Sequence, residues 1–293
     1  MIRVLSLETR TLPMRLRMPF RYGIVTLTEL PHLFVRAQVE VGGRVATGVA
    51  ADGLAPKWFT KDPHTTIAQD EAEMRAVIAA ACAFAEQAAP AATVFDLWQA
   101  IYAEQSVWAS NHGYPPLLWG FGVSLVERAL IDAWCRATHT PFYQAVCANT
   151  LGIRLAAIHS DLGNREPDEF LPTAPLRSII VRHTVGLSDP IDDADIAPHE
   201  RLDDGLPHSL AANIRAYGLT HFKIKLSGDG EKDLARLYAL AQVIESLCPS
   251  FAFTLDGNEQ YHDVAAFQAA WSAIKQEPRL QSFLRHRCTA TLP

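Results

Sequence analysis

The stretch "HFKIKLSGDGEKDLARL", residues 221 to 237, alternates apolar and charged side chains and then changes period. In an extended strand alternate side chains share a face, so Phe222, Ile224 and Leu226 point one way and Lys223 and Lys225 the other. Gly218 closes a helical pattern just before this strand, and "SGDGEKD" opens another just after it. A strand set between helices belongs to a parallel sheet, which is normally covered on both faces. Two adjacent lysines on a covered face meet desolvation and mutual repulsion, and both effects lower the pKa toward the value a general base needs near neutral pH. Lys225 closes its strand, at the end of the sheet where parallel barrels place their chemistry.

The neighbouring segments repeat this pattern. "RSIIVRHTVGL" reads as a buried strand, and an irregular acidic stretch, "SDPIDDADIAPHERLDDG", leads from it to the helix "PHSLAANIRAYG". After "HFKIKL" come the helix "EKDLARLYALAQVIESL", the strand "FAFTLDG" and the helix "DVAAFQAAWSAIKQ". Three strand-then-helix units in succession are the signature of an α/β parallel sheet. Earlier in the chain, "IRVLSLETR", "HLFVRAQVEV" and "RVATGVAAD" alternate with a period of two, and Gly42-Gly43 supplies a turn between the last two. From Thr65 to about Cys147 the pattern is helical. The expected organisation is an α+β N-terminal domain over residues 1–150 and an α/β domain over residues 151–293, with Gly163, Pro167, Pro172 and Pro175 marking the link.

"TLDGNEQY" carries the second motif. Asp256 closes the strand one βα unit after Lys225 and so projects from the same end of the sheet, with Asn258 two positions on. A calcium loop of the EF-hand type is excluded, because Tyr261 stands where its glycine is needed and Phe267 where its glutamate is needed. A carboxylate at one strand end and a lysine pair at its neighbour suit one reaction class: a hard divalent ion on oxygen ligands binds a substrate carboxylate, and a lysine removes the adjacent α-proton. A Schiff-base enzyme built on Lys225 would need no Asp-x-Asn one unit later.

Composition narrows the remaining classes. A chain that is 49% hydrophobic with a net charge of -6 can fill sizeable cores and presents no basic field, so nucleic acid is not an expected partner. The cysteines at 82, 135, 147, 248 and 288 are odd in number and form no C-x-x-C pair, which argues against a disulfide framework or a zinc knuckle and for a cytoplasmic location. The N-terminus lacks the apolar run of a signal peptide, and "AVIAAACAFA" stops at Glu86, far short of a membrane span.

With Lys-x-Lys at 223 and 225, Asp-x-Asn at 256 and 258 and the helix "SLVERALIDAWCRATHTPFYQAV", the sequence resembles the enolase superfamily, and within it the mandelate racemase and muconate lactonizing enzyme group. The resemblance covers essentially residues 1 to 286. It implies a capping domain followed by a TIM-type barrel, Mg²⁺ as cofactor and a small carboxylic acid as substrate, with racemase, cycloisomerase or acid-sugar dehydratase chemistry. By the resemblance Lys225 is the proton-abstracting base, Lys223 its neighbour that touches the substrate carboxylate, Asp256 the first of three carboxylate metal ligands, and Asn258 a hydrogen-bonding support. Substrate contacts are expected from an early loop, "MPFRYGI", through Arg21 and Tyr22, and from a second loop, "LAPKWF", through Lys57 and Trp58. Glu127 and Asp132 are expected to be structural. A family barrel has eight strands and this chain is expected to supply three, the pattern failing after "QSFLRH" as it would in a C-terminally truncated chain. The metal site is then incomplete, and the alternative to an enzyme is an inactive fragment serving as a binding or assembly partner, with homo-oligomer formation left open.

Overall fold

In the computed structural model Gly42 and Gly43 take φ of 56° and 82°, the left-handed geometry of a two-residue hairpin, and Val41 pairs with Arg44 across them. This turn joins β2 (Val25–Val41) to β3 (Arg44–Gly53), and β1 (Ile2–Tyr22) completes a sheet of order β1-β2-β3. The structure describes residues 1–22, 25–258, 260–285 and 287–291, with the backbone alone for Tyr22 and 287–291. It divides into two units, Met1–Pro19 with Ile24–Arg177 and Phe20–Gly23 with Ser178–Pro293. No described helix is long and apolar enough to cross a membrane.

β1 is longer than the sequence pattern suggests. "MPFRY", expected to lie in a loop, is strand through Tyr22, because Met14, Leu16, Met18 and Phe20 continue the two-residue alternation past Pro13. A proline is tolerated there because β1 is an edge strand and needs no donor on its outer side.

Three long helices follow, α1 (Ile67–Gln87), α2 (Val94–His112) and α3 (Pro116–Thr138), with α3 packed on β2 and β3 and α1 and α2 packed on α3, and then the short α4 (Phe142–Cys147). α1 starts where Thr66 and Gln69 cap each other reciprocally, at 3.2 and 2.7 Å. Thr66→Ala is expected to cost about 1 kcal/mol in a urea titration; a midpoint equal to the parent's would mean the box contributes nothing. α3 buries Leu125, Val126, Ala129, Leu130 and Ala133, and it comes so close to β3 that a Cβ on Gly48 would stand 2.1 Å from the Ala129 carbonyl oxygen. Asp132 Oδ2 accepts the Val49 N–H at 2.9 Å and Arg128 pairs with Asp52 at 2.9 Å, so α3 occupies hydrogen-bonding groups on the open edge of β3.

The second unit holds β4 (Arg182–Val185), α5 (Leu210–Tyr217), β5 (His221–Lys225), α6 (Gly230–Leu247), β6 (Ala252–Asp256), α7 (Val264–Gln276), α8 (Gln281–Leu284) and β7 (Arg287–Thr291). Its sheet is parallel throughout, in the order β4-β5-β6-β7. Two expectations need correction. The sheet has four strands, since Arg287–Thr291 pairs with β6 with Thr291 opposite Asp256; pairing onto an open parallel edge is made by backbone groups and does not require a visible side-chain period. The expected buried strand 177–187 shrinks to Arg182–Val185, with Ile179, Ile180 and Val181 left 81, 69 and 68% exposed ahead of it.

One face of the sheet is apolar. Val185, Phe222, Ile224, Phe253 and Leu255 pack there with Leu210 and Ile214 of α5, Leu237, Leu240 and Ile244 of α6, Ile274 of α7 and Phe283 of α8. This core orients β5, since burying Phe222 and Ile224 obliges Lys223 and Lys225 to the opposite face.

Candidate active site

Parallel register sets Lys225 opposite Asp256 and Lys223 opposite Thr254. Both lysines converge on one carboxylate oxygen: Lys225 Nζ donates to Asp256 Oδ2 at 2.8 Å, and Lys223 Nζ lies 2.5 Å from the same atom. Lys225 also donates to Asn258 Oδ1, while the Asn258 backbone N–H donates to Asp256 Oδ1 at 3.1 Å. Asn258 can make this return because it adopts φ of 43°, a left-handed conformation that asparagine tolerates better than most residues. The structure therefore brings together Lys223, Lys225, Asp256 and Asn258, as their spacing suggests.

The electrostatics follow from this geometry. Burial holds the Lys225 ammonium below the usual lysine range, with the Asp256 hydrogen bond and charge opposing and the Lys223 charge assisting. Burial alone would raise the Asp256 carboxyl, but hydrogen bonds from Lys223, Lys225 and the Asn258 backbone outweigh it and leave the pKa at about 2.

The loops behind this cluster are held by groups the sequence pattern does not single out. Asp233 in α6 is buried, and its carboxylate accepts the Ser227 N–H and hydroxyl, both at 2.8 Å, and the Gly228 N–H at 3.1 Å. That fastens the turn directly after Lys225. Gly228 then backs onto Gln260, where an added Cβ would meet the Gln260 Cβ at 3.0 Å, so the turns after β5 and β6 support each other. Arg236, also in α6, donates to the carbonyls of Gly186 and Asp189 at 2.6 and 2.9 Å and fastens the turn after β4. A charged residue on the buried side of a helix is the available signal, but the partners of Asp233 and Arg236 lie on other segments.

The expected substrate contacts fare differently. Arg21 lies exposed near the end of β1, and the Tyr22 side chain lies outside the described residues. Trp58 is 54% exposed. Lys57 is buried within the first unit, where its ammonium donates to the carbonyls of Asp62 and Thr65 at 2.8 and 2.5 Å and pairs with Asp70 at 3.1 Å. Those partners account for its three donors within the first unit.

These residues do not suit a hard divalent ion. Asp256 has one oxygen between two ammonium groups and the other on a backbone N–H. β7, which could bring a second acid alongside, places Thr291 next to Asp256 and contains no Asp or Glu. No group of three potential ligands stands together among the described residues. Mg²⁺ is usually held by one or two carboxylates together with substrate phosphates and waters, and the single carboxylate here is already engaged by two ammonium groups.

No protein-family model and no curated protein matches the sequence. Solved structures do. An enolase from Bradyrhizobium complexed with magnesium and mandelic acid aligns with a TM-score of 0.56 at 17% identity, over 92% of this chain and 58% of that one. A mandelate racemase/muconate lactonizing enzyme-like protein from Rubrobacter xylanophilus aligns with a TM-score of 0.56 at 20% identity, over 94% and 58%. The chain has the mandelate racemase/muconate lactonizing enzyme fold. The L-Ala-D/L-Glu epimerase from Bacillus subtilis aligns likewise, with a TM-score of 0.56 at 18% identity, over 98% of this chain and 60% of that one. At such identities the likeness is one of fold. The chain spans about 58% of the length of the first two structures, and within the mandelate racemase/muconate lactonizing fold its second unit corresponds to part of a barrel.

Proposed function

We propose that this chain carries the lysine half of an α-proton-abstracting site acting on a small carboxylic acid, in chemistry of the racemase, cycloisomerase or acid-sugar dehydratase type. The observation that carries the reading is the position of Lys225, at the C-terminal end of β5, 12% exposed and hydrogen-bonded between Asp256 and Asn258. As the free amine, Lys225 accepts a proton from the carbon next to a carboxylate, and Asp256 with Asn258 orients its nitrogen. The Lys223 ammonium, two residues earlier on the same face, offsets the charge of the substrate carboxylate. Similar folds have been crystallised with mandelic acid and with 2-oxoglutarate or phosphate, which supports a small carboxylate as the substrate class. A bound divalent ion would supply electrophilic stabilisation of the developing charge; Asp256, engaged by both lysines, does not suit it.

The test is α-proton exchange. With mandelate in D₂O, with and without millimolar Mg²⁺, loss of the α-proton signal is expected for the parent chain and a fall of about 100-fold or more for Lys225→Met with an unchanged melt. Equal exchange in the two proteins would remove Lys225 as the base.

A second reading rests on the outer edge of β4, which has no described partner strand, and on the exposed Ile179, Ile180 and Val181 preceding it. On that reading the chain is an inactive binding or assembly partner. Absence of exchange in every condition, with self-association abolished by Ile179→Lys and Val181→Lys, would favour it over catalysis.

A further inference from the structure

We propose that the lysine cluster binds a small carboxylate directly, on its ammonium groups and without a divalent cation. The inference rests on reading Lys223 and Lys225 as a carboxylate site, but it requires no turnover. Two ammonium groups share the single carboxylate of Asp256, at 2.5 and 2.8 Å, so the cluster keeps a surplus positive charge. The surplus grows along the same face. Arg182 of β4 stands in register with His221 of β5, two residues before Lys223, and its guanidinium reaches Thr254 Oγ1 at 3.5 Å. Thr184, Lys223 and Thr254 lie side by side across the three strands, and Asp256 is the only acid at the face positions of β4, β5 and β6.

Such a face attracts anions and repels further cations. The carboxylate and the amide oxygen beside the lysines are already engaged by ammonium donors, Asp256 by both lysines and Asn258 by Lys225. Donors remain to be matched. Lys223 has three N–H bonds and a single protein acceptor among the described residues, and its side chain is 28% exposed, so a carboxylate can reach it. Charge-assisted N–H to carboxylate bonds are the stronger kind, and two adjacent ammonium groups suit the two oxygens of one carboxylate.

The experiment uses the full chain freed of metal with EDTA and titrated with mandelate, following binding by calorimetry and by the thermal midpoint. Mandelate is expected to bind in EDTA, and millimolar Mg²⁺ is expected to change its affinity by less than about twofold. Lys223→Met is expected to weaken binding about 10-fold or more, consistent with losing a charge-assisted hydrogen bond, while Lys223→Arg retains it. Asp256→Asn is expected to leave binding in place or tighten it, because it releases both ammonium groups; a metal ligand at that position would give the opposite result. Binding that needs Mg²⁺, or that disappears in Asp256→Asn while the melt is unchanged, would overturn the inference. Should the variants fail to fold, the comparison of parent protein in EDTA and in Mg²⁺ still decides. The two readings fail separately. Binding in EDTA without α-proton exchange upholds direct carboxylate binding and counts against Lys225 as a base, whereas exchange and binding that both require Mg²⁺ do the reverse.

Discussion

Asp70→Ala is expected to destabilise the first unit by about 3–5 kcal/mol, the usual consequence of leaving one member of a buried ion pair alone. Asp70 and Lys57 are 3 and 8% exposed. The aspartate Oδ2 accepts the Lys57 backbone N–H at 3.0 Å, and Oδ1 accepts the Thr65 hydroxyl at 2.6 Å. Lys57 itself sits at φ of 58°, a left-handed conformation that a lysine adopts only where its surroundings impose it. The pair thus anchors the loop carrying Trp58 to the first turn of α1. Removing the carboxylate leaves an ammonium buried against two carbonyls with no counter-charge. Denaturant titration of the parent, Asp70→Ala and the double variant Lys57→Met with Asp70→Leu measures this, and the double variant is expected to regain much of the loss because no buried charge is left alone. A single-variant loss below about 1 kcal/mol would show that the pair is solvated.

Glu127→Gln is expected to have the opposite sign. Burial in α3 pushes the Glu127 carboxyl up from 4.5 to about 7, with Arg128 opposing only in part. No described group donates a hydrogen bond to it. A carboxyl whose folded pKa is raised binds its proton more tightly in the native state, so the native state loses stability as pH rises from the unfolded value toward the folded one. The shift corresponds to about 3 kcal/mol lost between pH 4.5 and 7, as an upper figure. Glutamine keeps the shape without the charge. The variant is therefore expected to be more stable than the parent by about 2–3 kcal/mol at pH 8, with the advantage disappearing below pH 5. Urea midpoints at pH 5 and pH 8 provide the check, and a pH-independent difference would rule out the linkage. Asp256 behaves in the reverse sense. Its pKa is lowered to about 2, so its contribution is present above the ordinary carboxylate range and is lost as pH falls toward 2.

Much of the lysine cluster is legible in the amino-acid sequence. Alternation in "HFKIK" separates Phe222 and Ile224 from Lys223 and Lys225, and the βα repeat brings Asp256 to the same sheet end, because both properties depend on residues close in sequence. The same holds for the Gly42-Gly43 turn. Lys57 is not legible in this way. Its neighbours "LAPKWF" look like an exposed loop, and only the packing of that loop against Asp70 of α1 makes it a buried cation. The turn-holding roles of Asp233 and Arg236 depend in the same way on partners in other segments.

The sequence by itself determined the succession of strands and helices from β4 to α7, the two-residue alternation that turns both lysines away from the core, and the strand ends at which Lys225 and Asp256 stand. Only the tertiary structure decided that the two ammonium groups meet on one oxygen, that β7 joins the sheet without bringing an acid, and that residues 179–181 remain exposed outside it. The reason is physical. Periodicity and turn chemistry are set by neighbours along the chain, whereas charge pairing, burial and edge pairing depend on which distant segments share a surface.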